Sequence, residues 1–263
     1  MQLLSHRLIQ LPKTFRSRFM GGWIIFLLAL SIQSCAVLNT GGPGQSSETY
    51  YQVSEEITED PEISALLKPY ITQMKSRMNQ VIAYSESEMA RGKPEGILGN
   101  MSADIVRFRA IRELGKPVQI GVVNNGGLRN PLPQGDITVG HIFELMPFEN
   151  TISVLTLSGV QVQRMADEIA ADGGEPVSGI RFRISNGKAT DILVNYEPLN
   201  PDSTYLVATN NYMADRGGSI EAFWHPIQRI DLDVLIRDAM IEYIRSRRHL
   251  DYELDQRIRI TED

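Results

Sequence analysis

The sequence predicts an α+β fold, a mixed β-sheet flanked by helices. Three observations predict it. Short β-branched runs alternate with stretches whose apolar residues recur at the 3.6-residue helical period, the pattern of βα units. Asn186-Gly187 sits between two further apolar runs and marks an antiparallel hairpin, so strands of both senses are present. No fixed-period repeat and no long low-complexity run interrupts the body, which is long enough to bury a core of its own.

The front of the chain is set apart from this body. Arg7, Lys13, Arg16 and Arg18 are the only charged residues before Glu48, and an apolar run from Trp23 to Leu30 follows them. That run is far shorter than the roughly 20 residues a helix needs to span a bilayer. It reads as the apolar segment of a signal peptide over residues 1–34. Ser31-Ile32-Gln33-Ser34-Cys35 resembles the lipobox of bacterial lipoproteins, although Ile32 and Gln33 replace the usual leucine and small residue. Cys35 is the single cysteine, so it has no internal disulfide partner and is expected to carry a lipid. An uncleaved signal anchor is the plainer alternative. Residues 35–49, rich in Gly, Ser, Asn and Pro, read as a flexible tether. The expected product is an exported, membrane-anchored lipoprotein facing the periplasm or the cell surface.

The chain holds 26 Lys and Arg against 32 Asp and Glu, and four of the cations lie in the leader. An acidic body argues against a general nucleic-acid surface, which would need a basic face.

From residue 50 onward the chain reads as one domain to residue 263. Residues 50–57 fit a first strand. Pro61 preorganises a helix start behind Glu59 or Asp60, and Ile63, Leu66, Leu67, Ile71, Met74 and Met78 carry its apolar period to about Asn79. Residues 81–84 form a short strand, and residues 91–96 a loop. A second helix runs through Ala103, Ile105, Val106, Phe108, Ile111 and Leu114 until Gly115-Lys116-Pro117 stops it. Val118, Ile120, Val122 and Val123 make a buried strand that breaks at Asn124-Asn125-Gly126-Gly127, presents Arg129, and leads through a Pro/Gly turn to a short helix and Pro147-Phe148-Glu149-Asn150. Residues 151–157 alternate as a strand, and Ser158-Gly159 opens a helix with Val162, Met165, Ala166 and Ile169 inward. The hairpin strands 180–184 and 189–194 follow, then a strand at 205–209 and a second loop at 210–219. A last helix is expected over 233–245.

Two loops after buried strands are placed to meet at one end of one sheet. Glycines admit close backbone approach, and an arginine offers a planar fork to phosphate or carboxylate. With Phe148 and Tyr212 the set suits a flat heterocycle held between rings, its edge read by amides. The plainer reading makes Phe148 core behind a proline corner, Tyr212 a helix cap and Arg129 a solvated turn residue.

Taken together, Asn124-Asn125-Gly126-Gly127-Leu128-Arg129, Gly135-Asp136-Ile137-Thr138, Met146-Pro147-Phe148-Glu149-Asn150 and Leu157-Ser158-Gly159 resemble the C-terminal domain of the 5′-nucleotidase family. This family includes periplasmic UDP-sugar hydrolases and animal ecto-5′-nucleotidase. The later run from Tyr205 to Tyr212, with Gly217-Gly218, is similar to a second signature of that domain, and Leu98-Gly99-Asn100 with Ala103-Asp104 to an early helix. The resemblance implies that this domain grips the nucleotide while a separate domain holds two metals and hydrolyses it. It implies that Asn124, Gly126, Gly127 and Arg129 meet the ligand's polar groups, that Phe148 and Tyr212 sandwich the base, and that Asn150 bonds to the base edge. The family's ribose-binding aspartate is replaced by Ser219, with Glu221 nearby. Its arginine ahead of the Gly-Asn helix has no clean counterpart, Arg91 and Lys93 being the candidates.

Two-metal hydrolysis needs several His, Asp and Asn ligands converging on ions about 3.5–4 Å apart. After the leader the histidines are His141, His225 and His249, none in an Asp-x-His, Gly-Asn-His or Gly-His-x-His arrangement. His141 reads as a surface or cap residue, His225 as a loop residue and His249 as solvated. No Gly-x-Ser-x-Gly elbow, P-loop or catalytic cysteine is present. The expectation is a chain with no cofactor and no catalytic residue of its own, partnered by a separate metallophosphatase chain that holds two divalent metals. The alternatives are a nucleotide- or nucleoside-capturing lipoprotein and a scaffold whose pocket has decayed.

Overall fold

The computed structural model describes Ser54 and residues 57–261. The leader, Cys35, the tether and most of the expected strand at 50–57 lie outside these residues.

Helix α1 spans Pro61–Met78, with Asp60 as its cap: the carboxylate accepts from the Glu62 and Ile63 amides, and Pro61 spends no donor. Strand β1 is Val81–Ser85. Helix α2, Ile97–Leu114, ends at Gly115, whose left-handed φ of 63° turns the chain out. Strand β2 is Ile120–Val122, and Asn125–Gly127 then coil into one tight 3₁₀ turn. Strand β3 (Gly135–Thr138) feeds helix α3 (Val139–Leu145). Strand β4 is Thr151–Ser158 and helix α4 is Gly159–Ala171. Strands β5 to β8 are Val177–Ser178, Ile180–Ser185, Lys188–Val194 and Glu197–Pro198. Strand β9, Thr204–Asn210, runs straight into the single-turn helix α5, Asn211–Ala214. Strand β10 is Gln228–Leu235, helix α6 is Ile236–Arg247, and the short strands β11 (His249–Leu250) and β12 (Ile258–Ile260) close the chain.

The expected elements from α1 to β9 form where the sequence put them, and the Asn186-Gly187 turn takes the two positive φ angles, 51° and 72°, that a two-residue hairpin demands. One boundary is corrected. The helix expected from Asp233 begins at Ile236, because residues 228–235 pair with β4 as an edge strand, Leu235 lying opposite Thr151. Residues 234–241 keep an apolar helical period, and sheet pairing claims the first part of it.

A five-stranded sheet in the order β10-β4-β9-β2-β5 organises the domain. Its neighbours are antiparallel except β2 and β9, which run parallel with Ile120 opposite Val207 and Gly121 opposite Ala208. Side chains alternate across it. Ile152, Val154 and Ala208 join the core beneath α2, α3 and α6. Leu155, Leu157, Ile120, Val122 and Val207 join the opposite core with α4, β6 and β7. The sheet is covered on both faces, so β2 and most of β4 are buried throughout. Smaller sheets, β11-β1-β3 and β12-β6-β7-β8, flank it.

Candidate functional site

The parallel pairing of β2 with β9 fixes the site. Two parallel neighbours end at the same edge of a sheet, so the loops leaving them, 123–129 and 210–219, rise side by side. Strand β4 is antiparallel to β9 with Ile152 opposite Asn210, so its entry, the corner 146–150, lies at that same edge. Three stretches far apart in sequence are thereby brought together.

Hydrogen bonds stitch them. Asn210 caps α5 by accepting from the Met213 amide at 2.7 Å and donates its own amide to Asn124 Oδ1 at 2.9 Å, clasping one loop to the other. Asn211 Oδ1 accepts from the Thr151 amide at 3.1 Å, joining the second loop to β4. The Arg129 amide donates to the Leu145 carbonyl at 2.8 Å, joining the first loop to α3. Arg229 on β10 bonds Asp215 at 2.6 Å and Asp231 at 2.8 Å, which steadies the outer part of the second loop.

The first loop is also held from behind. Arg91 donates to the carbonyls of Asn125 and Leu128 at 3.1 and 3.2 Å, bracketing the 3₁₀ turn. Glu175 accepts from the Asn125 amide at 2.6 Å. Burial pushes the Glu175 carboxyl above its usual range, opposed by that amide and by the Lys93 charge. Lys93 itself pairs with Asp172 at 2.7 Å, so of the two cations ahead of α2 it is Arg91 that reaches the loop.

Both aromatics stand out of the core. Phe148 is 46% exposed and so is not core, and Tyr212 is 51% exposed and lies inside α5, whose caps are Asn210 and Asp215. The Arg129 guanidinium lies over the Phe148 ring, 5.9 Å from its centroid, and also donates to the Gly126 carbonyl at 3.4 Å. The Tyr212 ring lies on Gly217: a Cβ there would sit 2.5 Å from two ring carbons. The Gly217 amide donates to the Tyr212 carbonyl at 2.7 Å. Asn124 folds over Gly126 and Gly127, Gly126 and Arg129 are exposed, and Asn150 is half-buried with its carbonyl accepting from the Ile236 amide at 2.9 Å. Ser219 is exposed, whereas Glu221 is engaged by Arg164 on α4.

The histidines lie away from this edge. His141 Nδ1 accepts from the Thr138 amide in a reciprocal cap at the start of α3, as expected. His249 is exposed, as expected, and there lies 3.0 Å from Glu86 and stacks on Tyr84. Among the described residues no three His, Cys, Asp or Glu side chains gather as a metal ion would need, and no helix is long and apolar enough to cross a membrane.

The topology thus carries two exposed rings, an arginine and a glycine turn to one open edge of the central sheet. Residues 76–225 match the family model for the 5′-nucleotidase C-terminal domain, and the chain belongs to that family. Among similar proteins, a 5′-nucleotidase of Vibrio parahaemolyticus is 30% identical over 66% of this chain and 31% of its own length. The trifunctional nucleotide phosphoesterase YfkN of Bacillus subtilis is 28% identical over 77% of this chain and 15% of its own. The crystal structure of a 5′-nucleotidase precursor from Thermus thermophilus superposes with a TM-score of 0.66 at 25% identity, over 78% of this chain and 44% of that one. The chain therefore spans less than half the length of these relatives.

Sequence reasoning missed Asn210 and Glu175 as supports of the site, and left Arg91 as one of two candidates ahead of α2. Asn210 carried a signal, an amide at the strand-to-helix junction. Glu175 carried none, since its role exists only once β5 lies beside β2.

Proposed function

We propose that this chain is the nucleotide- or nucleoside-binding, specificity half of a split 5′-nucleotidase in nucleotide catabolism. Hydrolysis would come from a separate metallophosphatase chain carrying two divalent metals. The observation that carries the reading is the convergence of the three family motifs at one edge of the central sheet, with Phe148 and Tyr212 exposed there. In this reading the rings take the base between them, Asn150 meets its edge, and Asn124, Gly126, Gly127 and Arg129 take the polar groups. Ser219 offers one hydroxyl to the ribose where a carboxylate would accept two bonds, and Glu221 is already engaged. The absence of metal-binding histidine motifs from the sequence supports the division of labour. Cys35, as a lipid attachment point, would hold both halves at one membrane.

The test has two arms. The purified chain should bind AMP or adenosine without hydrolysing AMP in the presence of Mn²⁺ or Mg²⁺, and a metallophosphatase chain lacking this domain should restore turnover on addition. Robust, chelator-sensitive hydrolysis by the chain alone would overturn the split, and failure to bind any nucleotide or nucleoside would overturn the site. For the anchor, Cys35→Ser should move the protein from the membrane to the soluble fraction of cells expressing it.

A further inference from the structure

A buried cation lies under the corner 146–150. Arg237 is the second residue of α6 and only 9% exposed. Its guanidinium carbon sits 4.2 Å from the centroid of the Phe143 ring, on α3. One terminal nitrogen donates to the Met146 carbonyl at 3.5 Å, the long end of hydrogen bonding, and Nε has no hydrogen-bond partner. Among the described residues no carboxylate forms an ion pair with it.

This is an unfavourable way to bury an arginine. A charge taken out of water is normally paired and hydrogen-bonded at every donor, and one that is not destabilises the fold. A leucine or methionine would fill the same space at no such cost. The contacts Arg237 does make share one destination. Met146 begins the corner that carries Phe148 and Asn150, Phe143 is the helix residue just ahead of it, and the preceding amide, Ile236, bonds the Asn150 carbonyl at its far end. Residues 236 and 237 thus hold both ends of the corner 146–150, whose middle residues Pro147, Phe148 and Glu149 are exposed.

We propose that Arg237 is a positioning residue for the base: wedged between the Phe143 ring and the Met146 carbonyl, it fixes the corner that presents Phe148 and Asn150. It touches no ligand and acts through the corner. The inference rests on the nucleotide-binding reading above and assigns part of its selectivity to a residue outside the cleft.

The test compares two ligands of the purified chain, AMP and ribose 5-phosphate, which differ by the base. In Arg237→Met, AMP affinity falls about tenfold or more, the scale of one lost base stack. Ribose 5-phosphate affinity changes less than about twofold. The melting temperature holds or rises, because an unpaired buried charge has been replaced by an apolar chain of similar length. A residue that merely supported the fold would lower the melting temperature and weaken both ligands together, and that result would overturn the proposal. So would an unchanged preference for AMP in Arg237→Met when Phe148→Ala abolishes it. If Phe148→Ala itself leaves the preference intact, the nucleotide reading fails and the proposal falls with it. Should the methionine variant not fold, Arg237→Lys keeps the charge but loses the planar stack on Phe143. It should also lose preference for AMP over ribose 5-phosphate, and an unchanged preference there counts against the role.

Discussion

Gly217→Ala should weaken nucleotide binding through a ring it does not carry. The backbone at 217 is outside the left-handed region, so alanine meets no conformational penalty there. The cost is spatial. Its Cβ would lie 2.5 Å from the Cε2 and Cζ atoms of Tyr212 and 2.5 Å from the Tyr212 carbonyl oxygen, where ordinary contact begins near 3.4 Å. The ring, and the loop backbone carrying the Tyr212 carbonyl, must retreat by roughly 1 Å, and a gap of that size forfeits up to half of a contact's attraction. If Tyr212 stacks on a base, Tyr212→Ala loses about 1–3 kcal/mol, and Gly217→Ala should lose a large part of the same quantity. The ring's share of the loss must then be non-additive, because the ring is gone in the double variant and only the contact with the residue 212 carbonyl remains there. Calorimetric titration of AMP into the four proteins of this cycle supplies the numbers. Gly218→Ala, at a left-handed φ of 86° with open space around its Cβ, separates backbone strain from ring displacement. Additive losses, or full affinity in Gly217→Ala, would refute the placement of Tyr212 in the site.

Further expectations concern the clasp, the support and the acid limb. Asn210→Ala removes a cap and the bridge to Asn124, and should destabilise by about 1–3 kcal/mol in urea unfolding; Asn210→Asp, which keeps the cap and loses the donor, should fall between. Glu175, raised by burial, favours the fold while protonated, so its contribution is complete below the ordinary value near 4.5 and is lost as pH climbs through the raised value. Glu175→Gln should flatten that part of the stability–pH curve. Glu242 is brought down to about 2, first by its hydrogen bonds to Arg112, against an opposing burial effect, and then by its hydrogen bond to Arg109. Its contribution is present above 4.5 and lost as pH falls toward 2, and because half of the side chain is exposed the loss in Glu242→Gln should be small and suppressed by salt.

Much of this fold was legible because its elements carry local chemistry. Proline behind Asp60, glycine at 115, Asn186-Gly187 and the Ser158–Gln161 cap each act within a few residues. Strand β10 was missed although Ile230, Leu232 and Val234 alternate with Asp231 and Asp233, because the helical period from residue 234 overlaps it and pairing with β4, some 75 residues away, decides between the two. The site divides the same way. Asn124, Arg129, Phe148 and Tyr212 announce themselves as motif residues, and the parallel register of β2 and β9 brings their loops to one edge. Glu175 and Arg237 have no such signature, because what they do is set by neighbours supplied by other strands and helices.

The claim on which the account depends is that Phe148 and Tyr212 face one guest. Nuclear Overhauser contacts between AMP and the chain, with phenylalanine and tyrosine rings isotopically labelled, test it directly. The account predicts that adenine protons contact both rings in one complex and that Phe148→Ala or Tyr212→Ala removes one set each. Saturable AMP binding with no contact to either ring would contradict it.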